Sequence, residues 1–143
     1  MELPGEEIVK QLHTTSKRME DYWRMSALGG VMSGSIGVQG HYANGLAALY
    51  LATGQDAACV AESAVGVTRI ELRENDRLFV SVTLPNIIVG TVGGGTNLPT
   101  QAAGLNIMGL KGSGKGRVLA EVCAAVCLAG ELSIIGALCA HEF

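Results

Sequence analysis

Aromatic residues are scarce in this chain: they make up 4% of 143 residues, and there is a single tryptophan. The core must therefore be built from Val, Leu, Ile and Ala, which the hydrophobic content of 48% can supply. That content, with only 16% charged residues, excludes an intrinsically disordered chain. No internal repeat or linker divides the sequence, so we predict one domain over residues 1–143.

An excess of positive charge is also lacking. Ten basic and thirteen acidic residues give a net charge of −3, and no basic patch indicates a nucleic-acid partner. The four cysteines form no CxxC pair and have no histidine cluster beside them, so we interpret them as reduced core residues and expect no metal site. The opening MELPGEEIVK has acids where a signal peptide has bases, which favours a cytoplasmic protein.

One segment, Val118–Ala140, is apolar and long enough to span a bilayer. It contains Glu121 and Glu131, and carboxylates are costly inside lipid. The sequence therefore predicts no membrane span here, but a helix buried in the protein or at a subunit interface. Such a helix would favour a homo-oligomer.

Hydrophobic periodicity and turn residues predict an α+β fold, in which helices surround a small, mostly antiparallel sheet and a long buried helix comes last. Gly54 is expected to end the third helix, and Glu74–Asp76 to turn a hairpin. The predicted elements are an amphipathic helix at 4–22, a turn followed by a helix at 29–40, a helix at 41–53, a β-hairpin between 65 and 82, a strand at 87–89, and helices at 98–108 and from 117 onward.

The loop Gly90–Gln101, GTVGGGTNLPTQ, is the sharpest local motif. Three consecutive glycines before a helix expose backbone N–H groups where the helix dipole favours anions, so the loop could hold a phosphate. It matches neither the dinucleotide fingerprint nor the P-loop, and a glycine turn needed only for packing explains it equally well. A second glycine segment, KGSGKG at Lys111–Gly116, is better interpreted as a surface turn.

Asp56, in GQDAA, comes just after the expected helix end and before an apolar run. It could cap a new helix, or it could be a partly buried acid whose raised pKa suits proton transfer. His41 and Asn44, in GHYANG, are by themselves more typical of structural hydrogen-bonding residues. Neither alternative for Asp56 is excluded by the local sequence.

Taken in order, these segments resemble the catalytic domain of hydroxymethylglutaryl-coenzyme A (HMG-CoA) reductase from about Leu3 to Leu138. The matching motifs are SGSIG at 33, HYAN at 41, GQDAA at 54, GTVGGGTNLPTQ at 90 and LAGELS at 128. The resemblance implies a fragment of that enzyme's large domain. It also implies reduction of an acyl thioester to an alcohol with NADPH or NADH, at sites that the family builds at a dimer interface.

The resemblance assigns a role to several residues of this chain. Asp56 matches the family's catalytic aspartate, and Arg24 stands where the family usually has a lysine that pairs with the substrate carboxylate. Arginine also binds carboxylates, but it is bulkier and not equivalent to lysine. The remaining assignments are His41 and Asn44 in the substrate pocket, and Val92, Gly93, Gly94 and Gly95 beside the nicotinamide cofactor.

The chain also departs from the family pattern. The family's catalytic histidine follows a glycine after the last helix; here the chain reads CAHEF, so His141 lies within a residue of that place and is the matching catalytic candidate. The family's catalytic glutamate, lysine and DAMGMN-like cofactor motif are absent from residues 1–143. Three hypotheses remain: part of a reductase site completed by another chain, a repurposed scaffold acting as a cyclase, isomerase or ligand-binding protein, and a non-catalytic regulatory protein.

Overall fold

A computed structural model describes residues 1–37 and 39–143. Within these residues the chain forms a mixed α+β fold, as predicted. The helices are α1 (Gly5–Leu12), α2 (Ser16–Met32), α3 (Tyr42–Thr53), α4 (Val60–Ser63), α5 (Pro99–Ile107) and α6 (Gly116–Ala140), and the strands are β1 (Glu2–Leu3), β2 (Val67–Leu72) and β3 (Leu78–Thr83).

The chain divides into two compact units. The first comprises Met1–His41, Gly66–Thr83 and Leu128–Phe143, and the second comprises Tyr42–Val65 and Leu84–Cys127. The first unit therefore holds all three strands and the second half of α6. The second unit holds α3, α4, α5 and the first half of α6.

The sheet of the first unit confirms the predicted hairpin. β2 and β3 pair antiparallel from Val67 opposite Thr83 to Leu72 opposite Leu78, and β1 pairs with the other edge of β3. Strand alternation places alternate side chains on one buried face. These join residues from α1, α2 and α6 in one core: Ile8, Met19, Ile70, Leu78, Val80, Ile135 and Cys139. Each fully buried aliphatic side chain contributes about 1.5–3 kcal/mol by leaving water.

The second unit has its own smaller core, built by Leu105, Leu110 and Leu119, with Val89 and Met108 packed against it. Leu105 is on α5 and Leu119 is in the first turn of α6. The turn between these helices, predicted from KGSGK, is present.

Helix α6 buries a stripe of side chains that recurs at every fourth residue, as predicted for a helix packed in a protein interior. The stripe consists of Leu119, Cys123, Cys127, Glu131, Ile135 and Cys139. Among the described residues, α6 is the one helix that has the length and apolarity for crossing a bilayer, a test that core helices of soluble proteins also meet. All four cysteines are free thiols, and three of them are buried in this stripe.

Three predicted elements are wrong in detail. The helix expected at 4–22 is interrupted at His13, whose φ of 52° is left-handed, and Thr15 then caps α2 by accepting a hydrogen bond from the Arg18 N–H at 3.3 Å. Next, α2 runs through Gly29 and Gly30 to Met32, so no turn begins at Gly29. No helix follows in the described part of 33–40, and Val38 lies outside the described residues.

The strand expected at Ile87–Val89 is also absent. Side chains, and not a neighbouring strand, form the hydrogen bonds to the backbone of Ile88. The N–H of Ile88 donates to Ser63 Oγ at 3.3 Å, and its carbonyl accepts from the Tyr50 hydroxyl at 2.9 Å. Because both polar groups of Ile88 are occupied, the segment stays irregular.

Candidate functional site

A cleft of about 370 Å³ opens in the second unit. It is where two motifs that are far apart in the sequence meet, GQDAA after α3 and the glycine loop before α5. Its lining residues are Leu51, Gly54, Gln55, Asp56, Gly94, Gly95, Leu98 and Gln101. The meeting of an acid with an exposed glycine backbone makes this cleft the candidate site.

Gly54 and Gly95 bring the two motifs together. Gly54 has a φ of +71°, and a Cβ there would overlap the carbonyl of Gly95 and lie 2.7 Å from the amide nitrogen of Thr96. A Cβ on Gly95 would lie 2.7 Å from the Gly54 carbonyl oxygen. Both residues must therefore be glycine for the backbones to approach this closely, so the packing explanation is correct for Gly95.

Gly93 and Gly94 differ from Gly95. Their φ values are +81° and +51°, yet no atom lies within 4 Å of a Cβ built on either residue. Both are exposed. Their backbone therefore faces open space, which is the arrangement that lets a ligand approach the main chain.

Asp56 is exposed at the cleft, which contradicts the alternative of a partly buried carboxyl group. One carboxylate oxygen accepts a hydrogen bond from the Ala58 N–H at 2.9 Å, which caps the short 3-10 turn Ala57–Cys59. The capping interpretation is therefore confirmed. It does not exclude a chemical role, because the capped carboxylate still lines the cleft.

Two side chains that sequence reasoning missed hold the glycine loop in place. The Gln55 amide bonds both backbone groups of Gly90, at 2.9 and 2.7 Å. The Lys111 ammonium donates to the Thr96 carbonyl and, at 2.8 Å, to Asn97 Oδ1. KGSGKG is a surface turn, as interpreted, and Lys111 anchors it to the loop. No local pattern identifies such contacts, since each joins residues distant in the sequence.

Glu131, in the LAGELS motif, forms a buried polar centre in the first unit. Its Oε1 accepts from the His41 backbone N–H at 2.7 Å, and its Oε2 accepts from Thr68 Oγ1 at 3.2 Å. Burial raises the pKa of this carboxyl group, and the hydrogen bonds from His41 and Thr68 partly oppose that rise. The His41 ring packs against Gly130, where a Cβ would overlap the ring nitrogen Nδ1.

The other predicted site residues lie elsewhere. Asn44 is exposed in the first turn of α3 and is not among the residues that line the cleft. The side chain of Arg24 is 63% exposed, and its Nη2 pairs with Glu20 Oε1 at 3.1 Å. His141 Nε2 lies 2.8 Å from Arg18 Nη2, and because a guanidinium only donates, this ring nitrogen is the acceptor.

The cleft thus brings together part of the predicted set. Asp56, Gly94 and Gly95 share it, whereas Val92 and Gly93 are exposed on the same loop and are not among its lining residues. His41 belongs to the first unit. No group of three or more His, Cys, Asp or Glu side chains among residues 1–37 and 39–143 is arranged to hold a metal ion.

This chain is similar to proteins named 3-hydroxy-3-methylglutaryl-coenzyme A reductase. The sequence matches the hydroxymethylglutaryl-coenzyme A reductase family over residues 1–143. Among its relatives is the 3-hydroxy-3-methylglutaryl-coenzyme A reductase of Methanocaldococcus jannaschii, 45% identical over 139 residues, which are 96% of this chain and 34% of the relative. The reductase of Haloferax volcanii is 42% identical over 146 residues, covering 98% of this chain and 36% of the relative.

A reductase from Camptotheca acuminata is 42% identical over 147 residues, with 96% of this chain and 25% of the relative covered. The chain thus spans about a third of the length, or less, of the relatives it matches. None of these three relatives is named as a cyclase or an isomerase. With a match that extends over all 143 residues, the chain belongs to the hydroxymethylglutaryl-coenzyme A reductase family.

Proposed function

We propose that this chain supplies the Asp56 part of an HMG-CoA reductase active site, which reduces an acyl thioester to an alcohol with NADPH or NADH. The observation that carries the proposal is the cleft shared by Asp56 and the glycines of GTVGGGT. Family resemblance assigns catalysis to the first motif and cofactor contact to the second. Two separately assigned motifs therefore lie around one space of about 370 Å³.

The glycine loop suits a nicotinamide nucleotide. Gly93 and Gly94 present main chain without side chains, and no atom lies within 4 Å of their Cβ positions, so a planar or charged group can approach the backbone. Val92 is 63% exposed beside them and offers an apolar contact. When bound, the cofactor supplies hydride. The loop's part is to hold and orient it.

Asp56 would hold or donate a proton near the substrate carbonyl oxygen, where negative charge develops as hydride adds. The hydrogen bond from the Ala58 N–H fixes one carboxylate oxygen and so fixes the direction of the group. We assign His141 as a second proton-transfer group on the resemblance alone. Its Nε2 lies 2.8 Å from Arg18 Nη2, which donates to it.

The substrate residues are Arg24, His41 and Asn44. Arg24, whose side chain is 63% exposed, would exchange its pairing with the buried Glu20 for the free carboxylate of the substrate, which a guanidinium can bind through two nitrogens. Family resemblance assigns His41 and Asn44 to substrate binding. We further propose that the chain is a single cytoplasmic domain that works as a homo-oligomer or with a complementing chain, because one third of the family length carries only part of the site.

The decisive experiment restores the rest of the protein. The part of the Methanocaldococcus jannaschii reductase that this chain does not match is joined to residues 1–143, and HMG-CoA-dependent loss of NADPH or NADH absorbance is measured. The joined protein should turn over, and the 143-residue chain alone should not. A folded joined protein that binds both ligands without turnover would count against the proposal.

A further inference from the structure

We propose that Gln55 is a positioning residue that fixes the glycine loop beside Asp56 by pairing its side-chain amide with both backbone polar groups of Gly90. This inference rests on the proposed function, in which the loop and Asp56 act on one bound ligand. The side-chain amide of Gln55, which also lines the cleft, is bound to backbone groups of Thr53 and Gly90. Its effect would pass through the loop.

The hydrogen bonds of Gln55 use the whole amide. Nε2 donates to the Gly90 carbonyl at 2.9 Å and to the Thr53 carbonyl at 3.1 Å, while Oε1 accepts from the Gly90 N–H at 2.7 Å. A side-chain amide has two N–H donors and one carbonyl acceptor, so every group has a partner. An ionised glutamate of the same shape has no donor, and asparagine is one methylene shorter.

Gln55 lies between two other residues that shape the candidate site, and this position makes its hydrogen bonds to Gly90 significant. Gly54 packs against Gly95, Gln55 binds Gly90, and Asp56 lines the cleft. Three consecutive residues therefore hold the two ends of the loop and supply the acid. Gly93 and Gly94, between those ends, stay free of neighbours near their Cβ positions. A loop pinned at both ends and open between them holds its backbone groups in place before a ligand arrives.

The substitution Gln55→Glu separates positioning from simple space filling. A protonated carboxylic acid has one donor and one acceptor and can replace both bonds to Gly90. Once ionised, it faces the carbonyl oxygens of Gly90 and Thr53 with no proton to donate. The order of the loop should then depend on pH in the variant and not in the wild type. The charged or titratable residues Asp56, Tyr50 and Lys111 nearby are the same in both proteins, and the wild type is measured over the same pH range.

The experiment compares amide hydrogen exchange of residues 88–97 in the 143-residue protein and its Gln55→Glu variant, from about pH 3.5 to about pH 8. Urea unfolding of the same samples reports global stability. We expect near wild-type protection in the variant at low pH. At high pH we expect at least tenfold faster exchange in the loop, with a smaller relative change in the unfolding equilibrium.

Gln101→Glu is the matched control, because it places the same charge in the same cleft. The Gln101 side chain donates one hydrogen bond, of 3.3 Å to the Leu51 carbonyl, among the residues that the structure describes. The inference is overturned if loop exchange in Gln55→Glu does not depend on pH, or if Gln101→Glu shows the same pH dependence. It is also overturned if the loop opens only to the extent that the whole protein loses stability. NADPH titration of the joined reductase tests the proposed function separately. Absence of binding counts against that function, while exchange still decides the role of Gln55.

Discussion

The backbones of Gly54 and Gly95 lie so close together that neither residue has room for a side chain. The contact joins the end of α3 to the glycine loop, although forty-one positions separate the two residues in the sequence. Since Asp56 follows Gly54 by two residues, this contact sets where the acid stands relative to the loop. It is the structural reason that the cleft contains both motifs.

Gly54→Ala should therefore destabilise the protein by about 2 to 4 kcal/mol, because it combines a left-handed φ with overlap on the Gly95 backbone. Gly90→Ala is the control at the other end of the same loop, since no atom lies within 4 Å of its Cβ position and its φ is not left-handed. It should change stability by less than about 1 kcal/mol. Urea unfolding measures both, and equal losses would contradict the close approach.

Local sequence signals predicted the parts of the fold that depend on neighbours in the chain. The alternation from Val67 to Val82 specified the hairpin, and Gly54 marked the end of α3. Neither proline nor glycine marks the break at His13, so the pattern suggested one helix where tertiary packing makes two. β1 has only two residues, which is too short for any alternation to be visible.

Local sequence signals also predicted only part of the candidate site. Its two motifs could be identified separately, but their meeting depends on the contact between Gly54 and Gly95, which has no local signature. The same holds for Gln55 and Lys111, whose partners lie thirty-five and up to fifteen positions away. The exposure of Asp56 was missed because an apolar run after an acid suggests burial, whereas here the acid caps a short turn at the surface.

Replacing Asp56 separates its capping role from its proposed chemical role. Asparagine can accept the same hydrogen bond from Ala58, so Asp56→Asn should leave stability within about 0.5 kcal/mol of wild type, while Asp56→Ala should cost about 1 kcal/mol. In the joined reductase both variants should lose about 100-fold to 10,000-fold in turnover, because neither can transfer a proton. Turnover that survives in Asp56→Asn would show that capping is its whole function.

The proposed self-association should depend on the outer face of α2. Met25 and Met32 are 72% and 79% exposed, seven residues apart on one side of the helix, and Ile36 beyond its end is 82% exposed. Large apolar side chains grouped this way favour an interface, here with a second copy. Light scattering should show an oligomer at micromolar concentration, and Met25→Glu with Met32→Glu should weaken association at least tenfold. Ile107→Glu, at an 87% exposed position on α5, is the control and should leave the mass unchanged.

Glu131 should make the stability of the protein depend on pH. The carboxyl group is 2% exposed, and burial raises its pKa above the ordinary value of about 4.5. At pH values between the pKa of Glu131 in the unfolded chain and its higher pKa in the folded protein, the folded state binds more protons than the unfolded state. The free energy of unfolding therefore falls as the pH rises through the folded pKa. This contribution is fully present at pH values below the unfolded pKa and is lost above the folded one.

Glu131→Gln removes that dependence. The amide oxygen can still accept from the His41 N–H, and Thr68 Oγ1 can accept from the amide in place of donating. The variant should therefore show a flatter stability profile and be relatively more stable toward neutral pH, because no charge has to be buried.

Urea unfolding at a series of pH values, followed by the fluorescence of Trp23, measures this difference. Trp23 is the single tryptophan and lines with Glu131 a small cavity of about 40 Å³, so its emission reports on that region. Glu121→Gln on the same helix is the control, since Glu121 is exposed and its pairing with Arg117 at 3.4 Å contributes little. If Glu131→Gln and wild type give parallel stability profiles, the buried carboxyl group does not titrate with folding.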